Sequence, residues 1–188
     1  MKYNLILAKS KNNVIGKDNK IVWSKPSDMK MFRQYTTNNV IIMGRKTFDS
    51  FGSKPLKNRI NIVLSRNKNF IDNLNKSGID GLIGCSDIDD AHRFLLNANY
   101  DKSVFVIGGA EIYNQYLDTR HADIENIYLT EINEYYDGDS FFERDDLLSE
   151  HFYVTTYKDL GDNCLLKIYR NRNISYMSDI SIPNYVFL

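Results

Sequence analysis

Val104-Phe105-Val106-Ile107-Gly108-Gly109-Ala110-Glu111-Ile112-Tyr113 is the stretch on which the fold turns. Ser103–Ile107 is an unbroken apolar run, β-branched and aromatic, and reads as a buried strand. The paired glycines stop it, and Ala110–Leu117 continues as a helix. An unbroken apolar strand, as opposed to an alternating one, belongs to a parallel sheet covered on both faces. The pattern recurs outward from this point. Val40–Met43 is a buried strand that stops at Gly44, and Arg45–Phe51 is a short helix ending at Gly52. Ile60–Leu64 is another buried strand, and Gly81–Gly84 a further candidate. Asn4–Ala8 opens the chain as a strand, and Lys9–Lys20 reads as a polar loop. Pro26–Tyr35 reads as a helix with Pro26 at its first position. Asp87–Asn97 carries Ile88, Ala91, Phe94 and Leu95 at helical spacing. Asn126–Ile132 is a strand, and Phe152–Lys158 with Cys164–Arg170 a closing hairpin. Strands alternating with helices predict one α/β domain: a mostly parallel central sheet of about eight strands, flanking helices and a C-terminal antiparallel hairpin.

Composition narrows the function. The chain has 188 residues, enough for one domain with one core. Lysine plus arginine equals aspartate plus glutamate, 24 each. A net charge of zero argues against a nucleic-acid binder. No run approaches the ~18 apolar residues of a membrane span, and the apolar run at the N-terminus is too short for a signal peptide. Cys85 and Cys164 lack metal-ligand spacing and read as reduced thiols in a cytoplasmic protein. His92, His121 and His151 fall in polar, exposed-looking stretches outside any motif, so zinc and Ser-His-Asp chemistry are not expected.

In such sheets ligands bind beyond the carboxyl ends of the strands. That directs attention to the residues after Ala8, Met43, Leu64 and Ile107. The first segment places Asp28 in the opening turn of a helix, with Phe32 one turn on, Met29 and Met31 beside them and Trp23 just before. A carboxylate among such side chains suits a flat heterocycle offering an amino group beside a ring NH. It also suits a plain complement to the helix dipole. In the second, Met43-Gly44-Arg45-Lys46-Thr47 runs a strand into a helix that opens on two cations. Cations there oppose the dipole, which weakens the case for a plain solvated helix start, and that reading and a phosphate site stand level. In the third, Leu64-Ser65-Arg66 places a hydroxyl and a guanidinium just past a strand, which by itself is more often only a strand end. Together with Arg45 and Lys46 they would favour a 2′-phosphate, hence NADP over NAD. The fourth is the opening stretch, whose glycines let a pyrophosphate or ring approach the backbone. It is not a G-x-G-x-x-G fingerprint and does not support an ordinary Rossmann domain.

In order and spacing these segments resemble the dihydrofolate reductase family from about Leu5 to Arg170. They match its Trp followed by a helical carboxylate, its M-G-R-x-T turn, its L-S-R strand end and its I-G-G-x-x-[IV]-Y segment. Tyr128-Leu129-Thr130-Glu131-Ile132 and Asp137-Gly138-Asp139-Ser140-Phe141-Phe142 resemble two later family segments. The resemblance implies an NADPH-dependent oxidoreductase acting on 7,8-dihydrofolate in one-carbon metabolism. It implies that Asp28 binds the pterin, Thr130 supports Asp28, and Trp23 anchors an ordered water and the loop Lys11–Val22. It implies that Arg59 holds the α-carboxylate of the substrate's glutamate, with Phe32, Phe51 and Leu56 around the aminobenzoyl part and Met29 beside them. Ala8, Ile107 and Tyr113 would touch both pterin and nicotinamide. The cofactor would lie along Ile15, Gly16, Ile21, Gly44, Arg45, Lys46, Thr47, Leu64, Ser65, Arg66, Gly108, Gly109, Ala110, Glu111 and Ile112. The family's cis peptide would fall between Gly108 and Gly109.

The chain departs from the pattern in places. Many relatives have Pro before the Trp, whereas here it is Val22. Leu7 stands where a small residue is common. The loop Gly52–Arg59 is longer than the short bacterial form, so Arg59 keeps its role only if that loop keeps its direction. The domain is expected over 1–173, with 174–188 a tail that packs locally or meets a thymidylate synthase. The expected state is a monomer. A related pyrimidine reductase and a non-catalytic module are the alternatives, and Asp28, Trp23, Phe32, Arg59 and Thr130 together argue against both.

Overall fold

Along β1 (Tyr3–Ser10) nearly every side chain is buried. Tyr3, Leu5 and Leu7 enter one apolar layer and Ile6 the other, as side-chain alternation requires when both faces of a sheet are covered. In the same way Val40 and Ile42 of β3 (Val40–Gly44) oppose Ile41 and Met43. In β4 (Ile60–Leu64), Ile62 and Leu64 oppose Val63. Each such aliphatic side chain contributes about 1.5–3 kcal/mol by leaving water. The structure, a computed structural model, describes residues 1–174. The expectations for the tail, Ile174 apart, lie outside the described residues.

The remaining strands are β2 (Val14–Gly16), β5 (Leu82–Cys85), β6 (Val104–Val106), β7 (Ile124–Ile132), β8 (Ser140–Phe141), β9 (Phe152–Gly161) and β10 (Cys164–Asn171). The eight-stranded sheet runs β5-β4-β3-β6-β1-β7-β10-β9. It is parallel from β5 to β7, and β10 then pairs antiparallel with both β7 and β9. The helices are α1 (Pro26–Thr36), α2 (Arg45–Ser50), α3 (Lys68–Lys76), α4 (Ile88–Ala98), α5 (Ala110–Arg120) and α6 (Asp145–His151). The first three supply Met31, Phe48 and Leu74 to one face. The last three supply Leu95, Tyr116 and Leu148 to the other.

The predicted architecture is observed, with local corrections. Lys9–Lys20 is not all loop: β1 continues through Ser10, and β2 pairs antiparallel with β8 in a small second sheet. Val14 is fully buried by that contact, which a far segment supplies and no local pattern announces. Helices α3 and α6 were not expected. A start signal for α3 is nevertheless present, because the Asn67 side chain accepts a hydrogen bond from the Phe70 amide and caps it. The three histidines are half-buried, not exposed. Tyr3 Oη lies 2.6 Å from His92 Nδ1, and His121 stacks on His151 at 4.2 Å between ring centres. Both polar tips are drawn inward by partners distant in sequence. Cys85 and Cys164 are buried free thiols.

Candidate active site

A single cleft of about 1190 Å³ opens over the carboxyl ends of β1, β3, β4 and β6. One drug-sized ligand usually fills ~300–1,000 Å³, so this space suits two molecules side by side. Every residue predicted for the site lines the cleft except Thr130 and Gly108, which stand directly behind it.

At one end is Asp28, carried in the first turn of α1, with Pro26 starting the helix. Asp28 is half-buried, and among the described residues no cation pairs with it. Burial pushes its carboxyl above the usual carboxylate range, and the nearby Thr130 hydroxyl opposes the shift. Thr130 sits on β7 opposite Ala8 of β1. Its Oγ1 is fully buried and turned toward the Asp28 carboxyl, which it steadies in the ionised form. Tyr113 is a different case. Its hydroxyl donates to the Ile6 carbonyl at 2.8 Å, and burial drives its pKa far upward. It supports β1. A Cβ on Gly108 would come within 3.0 Å of that ring, and Gly108 has φ +107°, so both space and backbone require glycine there.

Around Asp28 the walls are apolar. Ile21 and Met29 are 53% and 38% exposed, with Phe32, Phe51 and Leu56 close by. Arg59 closes this end. It donates to Thr36 Oγ1 at 3.0 Å and to the Lys57 carbonyl at 3.1 Å, and lies 5.9 Å from the Phe32 ring centre. Burial, and secondarily Arg33, lower its pKa, and among the described residues it has no carboxylate partner. The exit of the longer loop is held by Asn61. The Asn61 carboxamide accepts from Leu56 N at 2.8 Å and donates to the Leu56 and Arg59 carbonyls, both at 3.0 Å. It is 1% exposed. Sequence reading missed this role, although a polar residue inside a buried strand is the available signal.

The far end is cationic and open. Arg45 lies over Phe70 at 4.5 Å and near Asp49 at 3.4 Å. Arg66 is 92% exposed and, among the described residues, forms an ion pair only with Glu111, at 3.7 Å. Lys46 has no ion pair among the described residues. Between the two ends lies the start of α5, whose N-cap Gly109 offers no side-chain cap. The Ile112 amide donates to the Gly109 carbonyl at 2.9 Å, which leaves the Ala110 and Glu111 amides to face a ligand. The Gly44 amide donates to the Gly108 carbonyl at 2.7 Å, across the cis Gly108–Gly109 peptide.

Lys17, Asn19, Lys20, Asp139 and Ser140 also line the cleft and were not anticipated. They arrive because the segment 11–22 is held against 137–142. Lys17 pairs with Asp137 at 2.6 Å, the Asp18 amide donates to Asp139 Oδ2 at 3.0 Å, and the Asp139 amide donates to the Gly16 carbonyl at 3.1 Å.

Residues 2–163 match the family model described as dihydrofolate reductase. The chain belongs to the dihydrofolate reductase family. It is 42% identical over 142 residues to the dihydrofolate reductase of Haemophilus influenzae, covering 76% of this chain and 79% of that one. It is 34% identical over 167 residues to a bifunctional dihydrofolate reductase-thymidylate synthase of Daucus carota, covering 82% of this chain and 30% of that one. Among solved structures it superposes on Enterococcus faecalis dihydrofolate reductase complexed with NADP(H) and RAB-propyl. The TM-score is 0.73 and the identity 25%, over 91% of this chain and 96% of that one. The dihydrofolate reductase resemblance read from the motifs thus extends to the fold.

Proposed function

We infer that the chain carries out its family's reaction, the NADPH-dependent reduction of 7,8-dihydrofolate to 5,6,7,8-tetrahydrofolate, with Asp28 as the pterin-binding acid. One observation carries this reading. A half-buried carboxylate without a cation and a half-buried guanidinium without a carboxylate face the same apolar end of one cleft.

Dihydrofolate has the complementary ends. Its amino-pterin offers two adjacent donors to the two oxygens of Asp28. Its glutamate offers a carboxylate to Arg59, and the flat aminobenzoyl part lies between, against Phe32, Phe51 and Leu56. The other end of the cleft fits NADPH. Arg45, Lys46 and Arg66, with the Ser65 hydroxyl, form a positive patch for a 2′-phosphate, and the uncapped start of α5 suits the pyrophosphate. The tight packing of Gly44 on Ile112, where an added Cβ would come within 3.0 Å, leaves a narrow backbone wall beside it. When bound, the reduced nicotinamide supplies the hydride taken up at C6 of the pterin.

The residues of this chain then orient and hold protons. Asp28 fixes the ring and favours its bound tautomer. Its raised pKa keeps a carboxyl proton available nearer neutral pH than an ordinary aspartate would. Thr130 holds Asp28 from behind. Trp23 bounds the pocket on the loop side and anchors the water through which N5 is protonated. Ile107 and Ala8 keep the two rings in contact, and Ile15, Gly16 and Ile21 cover the cofactor.

The assay is loss of NADPH absorbance with dihydrofolate, repeated with Asp28→Asn. Turnover by the parent, largely lost in the variant, is the expected result. A folded parent that does not turn over dihydrofolate overturns the reading. We assign the reductase unit to residues 1–173 and its working form to a cytoplasmic monomer. Truncation after Asn173 leaves turnover unchanged, and sedimentation gives a single chain. Binding of a thymidylate synthase to the full chain, lost on that truncation, would give 174–188 its role.

A further inference from the structure

Glu134, two residues past the end of β7, sits at the centre of a network outside the ligand contacts described above. Its Oε1 accepts from Lys25 Nζ at 2.6 Å and from Asn163 Nδ2 at 2.9 Å. Its Oε2 accepts from the Tyr136 hydroxyl. The Tyr136 ring in turn packs edge-on against Trp23, 5.4 Å between centres. Asn12 clamps the Tyr136 backbone from both sides, donating to its carbonyl at 2.8 Å and accepting from its amide at 3.2 Å. On the other arm, Lys25 is the N-cap residue of α1. Its carbonyl accepts from the Met29 amide at 3.1 Å, while its side chain caps nothing in the helix. The Lys25 side chain is only 12% exposed.

The segment between these arms is otherwise weakly held. Residues 21–25 form neither helix nor strand. Among the described residues, the backbone of 21–24 makes no hydrogen bond to backbone elsewhere. Val22 stands just before Trp23, where a proline would have fixed φ. Yet this segment carries Trp23 and delivers the first turn of α1, where Asp28 sits. Ser27 ties the first turn of α1 to the turn between β9 and β10, its amide donating to Asp162 Oδ2 at 3.2 Å and its hydroxyl to the Gly161 carbonyl at 3.4 Å, so the position of 21–25 itself is left to side chains.

We propose that Glu134 is a positioning residue for the reductase reaction, gripping Lys25 and Tyr136 together so that Trp23 and Asp28 keep a fixed relation in the cleft. The inference rests on the function proposed above. The carboxylate suits the task because one group with two oxygens serves both arms. Hydrogen bonds from Asn163, Lys25 and Tyr136 hold its pKa down to about 2, so the carboxylate stays ionised well below neutral pH. Partly exposed ion pairs add little to global stability. Loss of Glu134 should therefore shift local geometry far more than it shifts unfolding.

Trp23 is the single tryptophan of the chain, so its emission reports this network directly. The experiment compares the ligand-free parent with Glu134→Ala, Glu134→Gln and Tyr136→Phe. It measures tryptophan emission, acrylamide quenching, kcat, KM for NADPH and the thermal midpoint. Glu134→Ala is expected to red-shift the emission and raise quenching. It should lower kcat about tenfold, as a sub-ångström misplacement does, with KM for NADPH within about twofold. Glu134→Gln keeps both arms, its oxygen accepting from Lys25 and its NH2 donating to the Tyr136 hydroxyl, and recovers most of the kcat. Parent-like emission and kcat in Glu134→Ala overturn the proposal. So does equal impairment of the Ala and Gln variants accompanied by an equal drop in thermal midpoint. If Glu134→Ala does not fold, Tyr136→Phe decides, since it removes one hydroxyl and keeps the ring: unchanged emission and kcat overturn the proposal. A parent without dihydrofolate turnover breaks the functional reading alone, and the fluorescence arm still judges the network.

Discussion

The two ends of the cleft solve recognition in opposite ways. At the Asp28 end the charges are few, half-buried and without an ion pair among the described residues: Asp28 and Arg59 are each pushed by burial toward the neutral form. At the Arg45–Arg66 end they are several and open to water, with Arg66 92% exposed. A half-buried charge is costly to leave alone, so its proper partner gains both a strong hydrogen bond and relief of that cost. An exposed charge gains little from any one contact but attracts an anion at long range. The first end should be selective and intolerant of change. The second should be redundant and sensitive to salt.

The largest effect tests the selective end. Asp28→Asn is expected to lower kcat at neutral pH by at least about 10²-fold, read in the NADPH absorbance assay. A loss of only a fewfold would mean that this carboxylate is not the pterin's partner. Next comes Arg59→Gln. Removing a charged hydrogen-bonding partner of a carboxylate weakens binding by about 10- to 100-fold. The KM for dihydrofolate should rise by that factor, while a substrate analogue lacking the glutamate should show no difference. Equal effects on both would place Arg59 in a structural role with Thr36.

Those two residues also show how far the sequence carries. Asp28, Arg45, Arg66 and the Gly108–Gly109 pair are legible because each belongs to a short segment with its own pattern at a strand end. The central strands are legible because burial on both faces turns them into apolar runs. What escapes reading depends on partners far along the chain. Asn61 looks like a strand residue until Leu56 folds back on it. Glu134 and Asn12 look like loop polarity until Trp23 and Tyr136 meet. The β2–β8 pair brings Gly138 so close to Val14 that an added Cβ would come within 2.3 Å, a fit no local periodicity encodes.

Smaller effects probe the redundant end. Lys46→Gln and Arg66→Gln should each raise the KM for NADPH by about three- to tenfold at low salt, the difference shrinking toward 0.5 M salt. A single change here as costly as Arg59→Gln would break the contrast between the two ends.

The smallest effect is on stability. The folded carboxyl of Asp28 has a raised pKa, so between the ordinary aspartate value and that raised value the native state binds more protons than the unfolded one. Stability then falls as pH rises through that window. Asp28→Asn removes this penalty. Its thermal midpoint should exceed that of the parent at neutral pH, and the gain should vanish as the pH drops below the ordinary carboxylate range. A variant less stable than the parent at neutral pH would mean that Asp28 contributes native contacts outweighing its burial.

Asn61 has a consequence for how this scaffold can change. Its carboxamide grips both ends of the Leu56–Arg59 segment from within β4. The exit of the loop is thereby anchored to the sheet independently of its entry. Residues can be gained or lost between Gly52 and Pro55 while Leu56 and Arg59 stay in place. The loop works as a slack tether with a fixed far end, and length variation in this stretch is compatible with an unchanged binding register.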